Sequence, residues 1–171
     1  SKKGYTFSHN TNAAFIALNE LLSAGSQVYL MKDGTYFLKG NSQSEKSKLK
    51  DLAESYNISF KTSSKDHSIS GTKINFSKIG IYKSWQANID EGWTRLILEQ
   101  YQFPLDTLHN KDLLSRDLSQ YSAIILPSQS GNGILNGHMP NTMPEGYTGG
   151  IGPEGTLALK QYVENGGRVI A

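Results

Sequence analysis

The side chains best suited to chemistry gather between Lys78 and Tyr101, in KIGIYKSWQANIDEGWTRLILEQY, where Ser84, Trp85 and Gln86 precede Asp90, Glu91 and Arg95. Trp85 offers an aromatic face on which a ligand can stack. The carboxylates can accept hydrogen bonds or a proton, with Glu91 as a general base and Arg95 as its electrostatic partner. Each residue also has a plainer role. An acidic residue in a first helical turn caps exposed N–H groups, Trp93 packs on a sheet, and Arg95 is solvated. Trp85 sits on a turn, where its plain role is a lid over the core. A second set lies in SQSGNGILNGHMPNTMPEGYTGGIG, residues 128–152. Here Gln129 and His138 are candidate polar contacts to a ligand, with structural hydrogen bonding as the equal alternative.

Other chemistries find less support. The glycines at 131, 133 and 137 miss the dinucleotide-binding spacing, and the helix that should open at once lies about 20 residues further on. Of the four histidines only His109 has an acid three residues on, Asp112, whereas a zinc site needs three protein ligands on rigid elements. No serine occupies a G-x-S-x-G elbow. The chain has no cysteine, which removes disulfides, thiolate zinc sites and a thiol nucleophile. No catalytic set and no metal site are expected.

These side chains need a framework. Ile79 to Tyr82 reads as a short buried strand, and Trp93, Leu96, Ile97 and Tyr101 recur at helical spacing. A second strand is expected from Phe103 to Leu108, then a polar connection with a short helix, then YSAIIL from Tyr121 to Leu126. That apolar run is typical of a parallel strand covered on both faces. The long loop 128–152, without periodicity, leads to a helix from Pro153 to Glu164 and a last strand from Arg168. This alternation predicts a mostly parallel sheet with right-handed crossovers. Loops 84–90 and 128–152 both leave carboxyl ends of strands, where such sheets bind ligands; they share one crevice if the first and third strands are neighbours.

The preceding part reads as a small α+β unit. A helix spans about Asn10 to Ala24, a hairpin joins Val28–Met31 to Tyr36–Leu38 through Asp33-Gly34, and a helix covers Ser44 to Tyr56. Ile58 and Phe60 suggest a brief strand. The Ser-rich stretch 61–73 reads as a linker, dividing the chain into domains 1–73 and 74–171.

Composition narrows the function. With 171 residues, 37% hydrophobic content and net charge +2, the chain can bury a core and lacks the charge of a general nucleic-acid binder. No apolar run approaches the roughly 20 residues of a membrane-spanning helix, so no membrane insertion is expected. The ending GGRVIA reads as a turn entering a buried strand, so we expect a piece of a longer protein with an incomplete second domain.

The strings IGIYKSW, DEGWTRLILEQYQFP, ILPSQS, ILNGH, MPEGYTGGIGPEG and ENGGRVIA resemble one family. It is the C-terminal region of large bacterial proteins of the M14 zinc carboxypeptidase class. There a metallopeptidase domain is followed by a module similar to class I glutamine amidotransferases. The resemblance covers about residues 74–171, and 5–60 resemble the small domain before that module. It implies a flavodoxin-like parallel sheet, partly truncated, and a periplasmic or secreted protein. The zinc it implies belongs to the upstream peptidase domain, and no cofactor is implied for this chain. The amidotransferase cysteine has no counterpart here. The expectation is a non-catalytic accessory region that packs on the upstream peptidase domain or binds a small-molecule, peptide or sugar ligand. Trp85, Asp90, Glu91, Arg95, Gln129 and His138 would line that ligand site. The alternatives are a free-standing amidotransferase-like hydrolase and a carbohydrate-associated module, in which Trp85 or Tyr147 would meet a sugar.

Overall fold

A computed structural model of the chain describes residues 2–171. It contains two compact units, one ending at Phe76 and the other starting at Ser77. The fold class is mixed α/β, with one antiparallel sheet and one parallel sheet.

The first unit runs β1 (Gly4–Phe7), α1 (Ala13–Ser23), β2 (Gln27–Leu30), β3 (Tyr36–Lys39), α2 (Gln43–Tyr56), β4 (Lys61–Ser63) and β5 (Thr72–Lys73). The sheet has the order β4-β1-β3-β2-β5, every pair antiparallel. The β2–β3 hairpin turns at Gly34, whose φ of +82° suits glycine, while the Asp33 carboxylate accepts the Thr35 N–H at 2.9 Å. In α2 a capping box joins Ser42 and Glu45, so two otherwise orphaned N–H groups are satisfied reciprocally. Leu18 and Leu21 of α1 and Leu49 and Leu52 of α2 close over Phe7, Val28 and Leu38 of the sheet.

Two sequence expectations fail here. The stretch 61–73, read as a linker, supplies both edge strands of the sheet, with a 3-10 turn at His67–Ile69 between them. Edge strands are held by main-chain pairing and tolerate Lys, Thr and Ser side chains, so polarity does not mark them as loops. The strand expected near Ile58 and Phe60 begins instead at Lys61, and those two side chains pack on the core. Strand β1 was not anticipated, since four residues are too few for a periodic signal.

The second unit runs β6 (Lys78–Tyr82), α3 (Ile89–Gln100), β7 (Leu105–Leu108), α4 (Asp112–Ser115), β8 (Tyr121–Ile125), α5 (Gly131–Asn136), α6 (Gly152–Glu164) and β9 (Val169–Ile170). Its sheet is parallel throughout, in the order β7-β6-β8-β9. The first and third strands are therefore neighbours. Tyr82, Leu108 and Ile124 meet Leu113, Leu159 and Tyr162 in a core on one face of this sheet.

Three local readings need correction. Asn88, rather than Asp90 or Glu91, caps α3, its side-chain oxygen accepting the Asp90 and Glu91 N–H groups. Trp93, Leu96 and Ile97 are exposed, whereas Glu91 is buried and Arg95 largely so. Spacing shows that apolar side chains share a helix face, not that this face meets the sheet. The segment 128–152 is not one irregular loop, because it contains α5, a 3-10 turn at Glu145–Tyr147 and a bridge between His138 and Gly149. No described helix is long and apolar enough to cross a membrane.

Asp66 gives this fold an acid-sensitive contact. Its carboxylate accepts the Ser68 hydroxyl and the Ser68 N–H and pairs with Lys39 at 3.2 Å. The Ser68 bonds, with a smaller contribution from Lys39, hold its pKa down to about 2. A depressed carboxylate pKa adds stability above the unfolded value and loses it as pH falls through the folded one. Denaturant melts between pH 5 and pH 2 should therefore show stability falling from about pH 4 toward about pH 2. In Asp66→Asn that decline should be shallower; parallel profiles would mean that Asp66 makes no such contribution.

Candidate functional site

The three strands β7, β6 and β8 point their carboxyl ends the same way, and the segments that leave them meet around Lys83–Asn88. The ring Nδ1 of His109, just past β7, bonds the Lys83 carbonyl at 2.7 Å. A carbonyl can only accept, so Nδ1 carries the hydrogen. From the other side His138 Nε2 donates to the Trp85 carbonyl at 3.3 Å. The buried Ser84 hydroxyl donates to the Gln86 carbonyl at 3.0 Å. Gln129 Nε2 donates to Gln86 Oε1 at 3.1 Å, and Asn88 Nδ2 donates to the Ser128 carbonyl at 3.1 Å. Asn88 thus caps α3 and ties it to the end of β8.

These bonds position Trp85. Its ring stacks on His109, with centroids 4.0 Å apart and planes 7° from parallel, and meets Tyr147 edge-on at 4.7 Å and 70°. Beneath it, the Tyr82 hydroxyl donates to Asn110 Oδ1 at 2.7 Å, and Asn110 Nδ2 donates to the Gly149 carbonyl at 2.9 Å. Main-chain approach is close here. A Cβ on Gly133 would stand 2.8 Å from Gln86 Oε1, and one on Gly150 would stand 2.3 Å from the Ile134 carbonyl. Gly133 lets α5 lie against the glutamine pair, and Gly150 lets its own segment lie against α5.

Two cavities flank this frame. One of about 200 Å³ lies beside Trp85 and is lined by Asn110, Lys111, Glu145, Thr148 and Ile151. The other, about 620 Å³, is lined by Asn132, Asn136, His138 and Met139, and Gly150 borders both. A groove of about 470 Å³ opens near Arg116, Tyr121 and Gly167, at the amino ends of the strands and away from these side chains. A flat aromatic, a mixed set of polar groups and a small volume suit recognition of part of a small polar molecule.

The structure brings Trp85, Gln129 and His138 of the candidate residues together, and leaves Asp90, Glu91 and Arg95 apart. Glu91 Oε1 accepts Arg95 Nε at 2.8 Å, and Oε2 lies 3.8 Å from Lys83 Nζ. None of these three lines either cavity, and Asp90 is exposed. Gln86, His109 and Asn110 are additional members outside the expected ligand-site set, and Tyr147, expected beside a sugar only in the carbohydrate-associated alternative, lies against Trp85. A signal existed for His109 and Asn110, which leave the carboxyl end of the strand flanking β6 and so fall under the rule applied to the other two loops. Asp112 accepts the His109 main-chain N–H at 2.7 Å and pairs with Arg116 at 2.8 Å, so the HNKD string is a helix-start contact. Among the described residues no three His, Asp or Glu side chains come together in a way that fits a metal ion. Comparison with protein-family models, with curated proteins and with solved structures finds no match to the chain.

Burial raises the Tyr82 pKa to about 12. A phenol whose folded pKa is raised contributes no instability below the unfolded value of about 10, and stability then falls as pH rises from there through about 12. Tyr82→Phe should cost about 1 kcal/mol at neutral pH through the lost Asn110 bond. It should also flatten the alkaline decline between about pH 10 and about pH 12. Urea melts at neutral and alkaline pH measure both; an unchanged alkaline slope would show that Tyr82 is not the group responsible.

Proposed function

We propose that this chain is a non-catalytic accessory region of an M14-like zinc carboxypeptidase whose parent protein hydrolyses peptide C-termini. In this reading the unit from Ser77 is a flavodoxin-like, amidotransferase-like module that holds a ligand at the carboxyl ends of its strands. The strand order, second-first-third-fourth, agrees with the flavodoxin-like order of doubly wound sheets. One observation carries the binding role. The loops after β6 and β8 meet where the strand order reverses, through the Gln86–Gln129, Asn88–Ser128 and Trp85–His138 bonds. In open parallel sheets this is where ligands sit.

The non-catalytic part rests on chemistry. A chain without cysteine cannot supply the thiol of an amidotransferase. Glu91, the carboxylate considered as a general base, is engaged by Arg95 and lies outside the cavities. The zinc of the parent belongs to its upstream domain and takes no ligand from this chain. The ligand is a small molecule or one residue of a peptide, with Trp85 as a preorganised wall and Lys111 and Glu145 at the rim. A sugar is the second reading, favoured by the presence of Trp85 and Tyr147 on one edge of the site.

Calorimetric titration with short peptides and oligosaccharides tests this. Trp85→Ala and Lys111→Ala should each weaken binding at least about tenfold, equivalent to about 1.4 kcal/mol, with circular dichroism unchanged. A Trp85→Ala protein that loses its fold, together with undiminished binding by Lys111→Ala, would make Trp85 a lid over the core and overturn the site.

A further inference from the structure

The cavity beside Trp85 is lined by two opposite charges, Lys111 and Glu145, that the chain itself leaves unengaged. Of the four lysines that follow Ser77, Lys78, Lys83 and Lys160 are ion-paired, with Asp106, Glu91 and Glu164. Among the described residues Lys111 has no ion-pair partner, and neither has Glu145, so the two are not paired with each other. Local structure gives Lys111 no task. It stands at the start of α4 and its side chain makes no capping bond, and a cation there does not complement the helix dipole.

The uncharged polar side chains of this cavity are already taken. Asn110 accepts from the Tyr82 hydroxyl and donates to the Gly149 carbonyl, and the Thr148 hydroxyl donates to the Glu145 carbonyl at 2.9 Å. A ligand rich in hydroxyls therefore finds few free partners among them. Trp85, Leu114 and the buried Ile151 supply apolar wall. What the cavity offers is one cation, one anion and an apolar surface.

Taking this crevice as the binding site argued above, we propose that it holds a free α-amino acid with an apolar side chain, bound as its zwitterion. The ligand carboxylate meets the Lys111 ammonium, the ligand ammonium meets the Glu145 carboxylate, and the side chain lies against Trp85 and Ile151. Lys111 and Glu145 are both exposed, so the charged head stays at the wet rim and only the apolar part is dehydrated. That arrangement avoids the cost of burying a charge. The volume of about 200 Å³ equals that of roughly seven waters at about 30 Å³ each, which suits one residue rather than a chain of them. A side-chain amide would lie against the apolar wall without a partner, so glutamine is a poor ligand.

Titrating the isotope-labelled full chain with L-leucine, and following the amide signals of Gly146 and Gly150 at the cavity edge, tests the proposal. Saturable shifts are expected. N-acetyl-L-leucine, which lacks the ammonium, L-leucinamide, which lacks the carboxylate, and L-glutamine should each bind at least about tenfold more weakly. Lys111→Glu and Glu145→Lys should each abolish the shifts. The double variant exchanges the two charges and should recover binding to within about tenfold of the natural chain, a rescue that a merely structural role does not produce. The ligand series needs no variant, so it decides the matter even if a substitution unfolds the chain. Amides unmoved by L-leucine, or equal binding of L-leucine and its two derivatives, would overturn the zwitterion. The binding site itself survives that outcome if a short peptide or an oligosaccharide shifts the same amides in the natural chain and not in Trp85→Ala. If none of these probes does so, the site falls as well.

Discussion

The second unit depends on one constraint, the parallel pairing of β6 with strands on both sides. Ile81 is fully buried and lies in register with Thr107 of β7 and Ile125 of β8. Parallel neighbours must run the same way, so every segment leaving a carboxyl end emerges on one side of the sheet. The chain first moves from β6 to β7 and then crosses back over β6 to β8. That reversal parts the following loops around the end of β6 and makes the place where Trp85, His109 and His138 converge.

Order in these loops comes from bonds rather than burial. The main chain from Lys83 to Trp85 is taken by one histidine from the β7 side and another from the β8 side. Each histidine uses a ring nitrogen on a carbonyl, so the peptide groups of an irregular segment are satisfied without a sheet or helix partner. Gly150 then allows residues 149–150 to approach α5 closely enough to seal the far side. An aromatic held by neighbours on both ring and main chain loses little freedom when a ligand arrives, which is the physical advantage of preorganisation.

Helix α3 shows the opposite economy. Its inward side spends a carboxylate and a guanidinium on each other, while its outward side exposes a tryptophan, a leucine and two isoleucines. A buried ion pair is weak evidence for stability, because desolvation offsets much of the attraction.

Much of the framework was legible in the chain itself. Helix α2, the Asp33-Gly34 hairpin, the central strand at Ile79–Tyr82 and the α/β alternation all follow from local causes: caps, turn dipeptides and apolar periodicity. Residues near in sequence carry that information. The edge strands at 61–63 and 72–73 were not legible, because pairing with a distant strand leaves no side-chain signature. The site was half legible: Trp85, Gln129 and His138 stood out on loops of unusual composition. His109 and Asn110 became members only when β7 took its place beside β6. Whether Glu91 or Trp93 would face the sheet was beyond helical spacing alone, which defines two faces of a helix but not the one that turns inward. The sequence by itself determined the longer helices, the hairpin and the central strands, and the chemistry available to them. Only tertiary structure decided which loops meet and which helix face is buried, because both depend on strand order and packing between residues far apart in the chain.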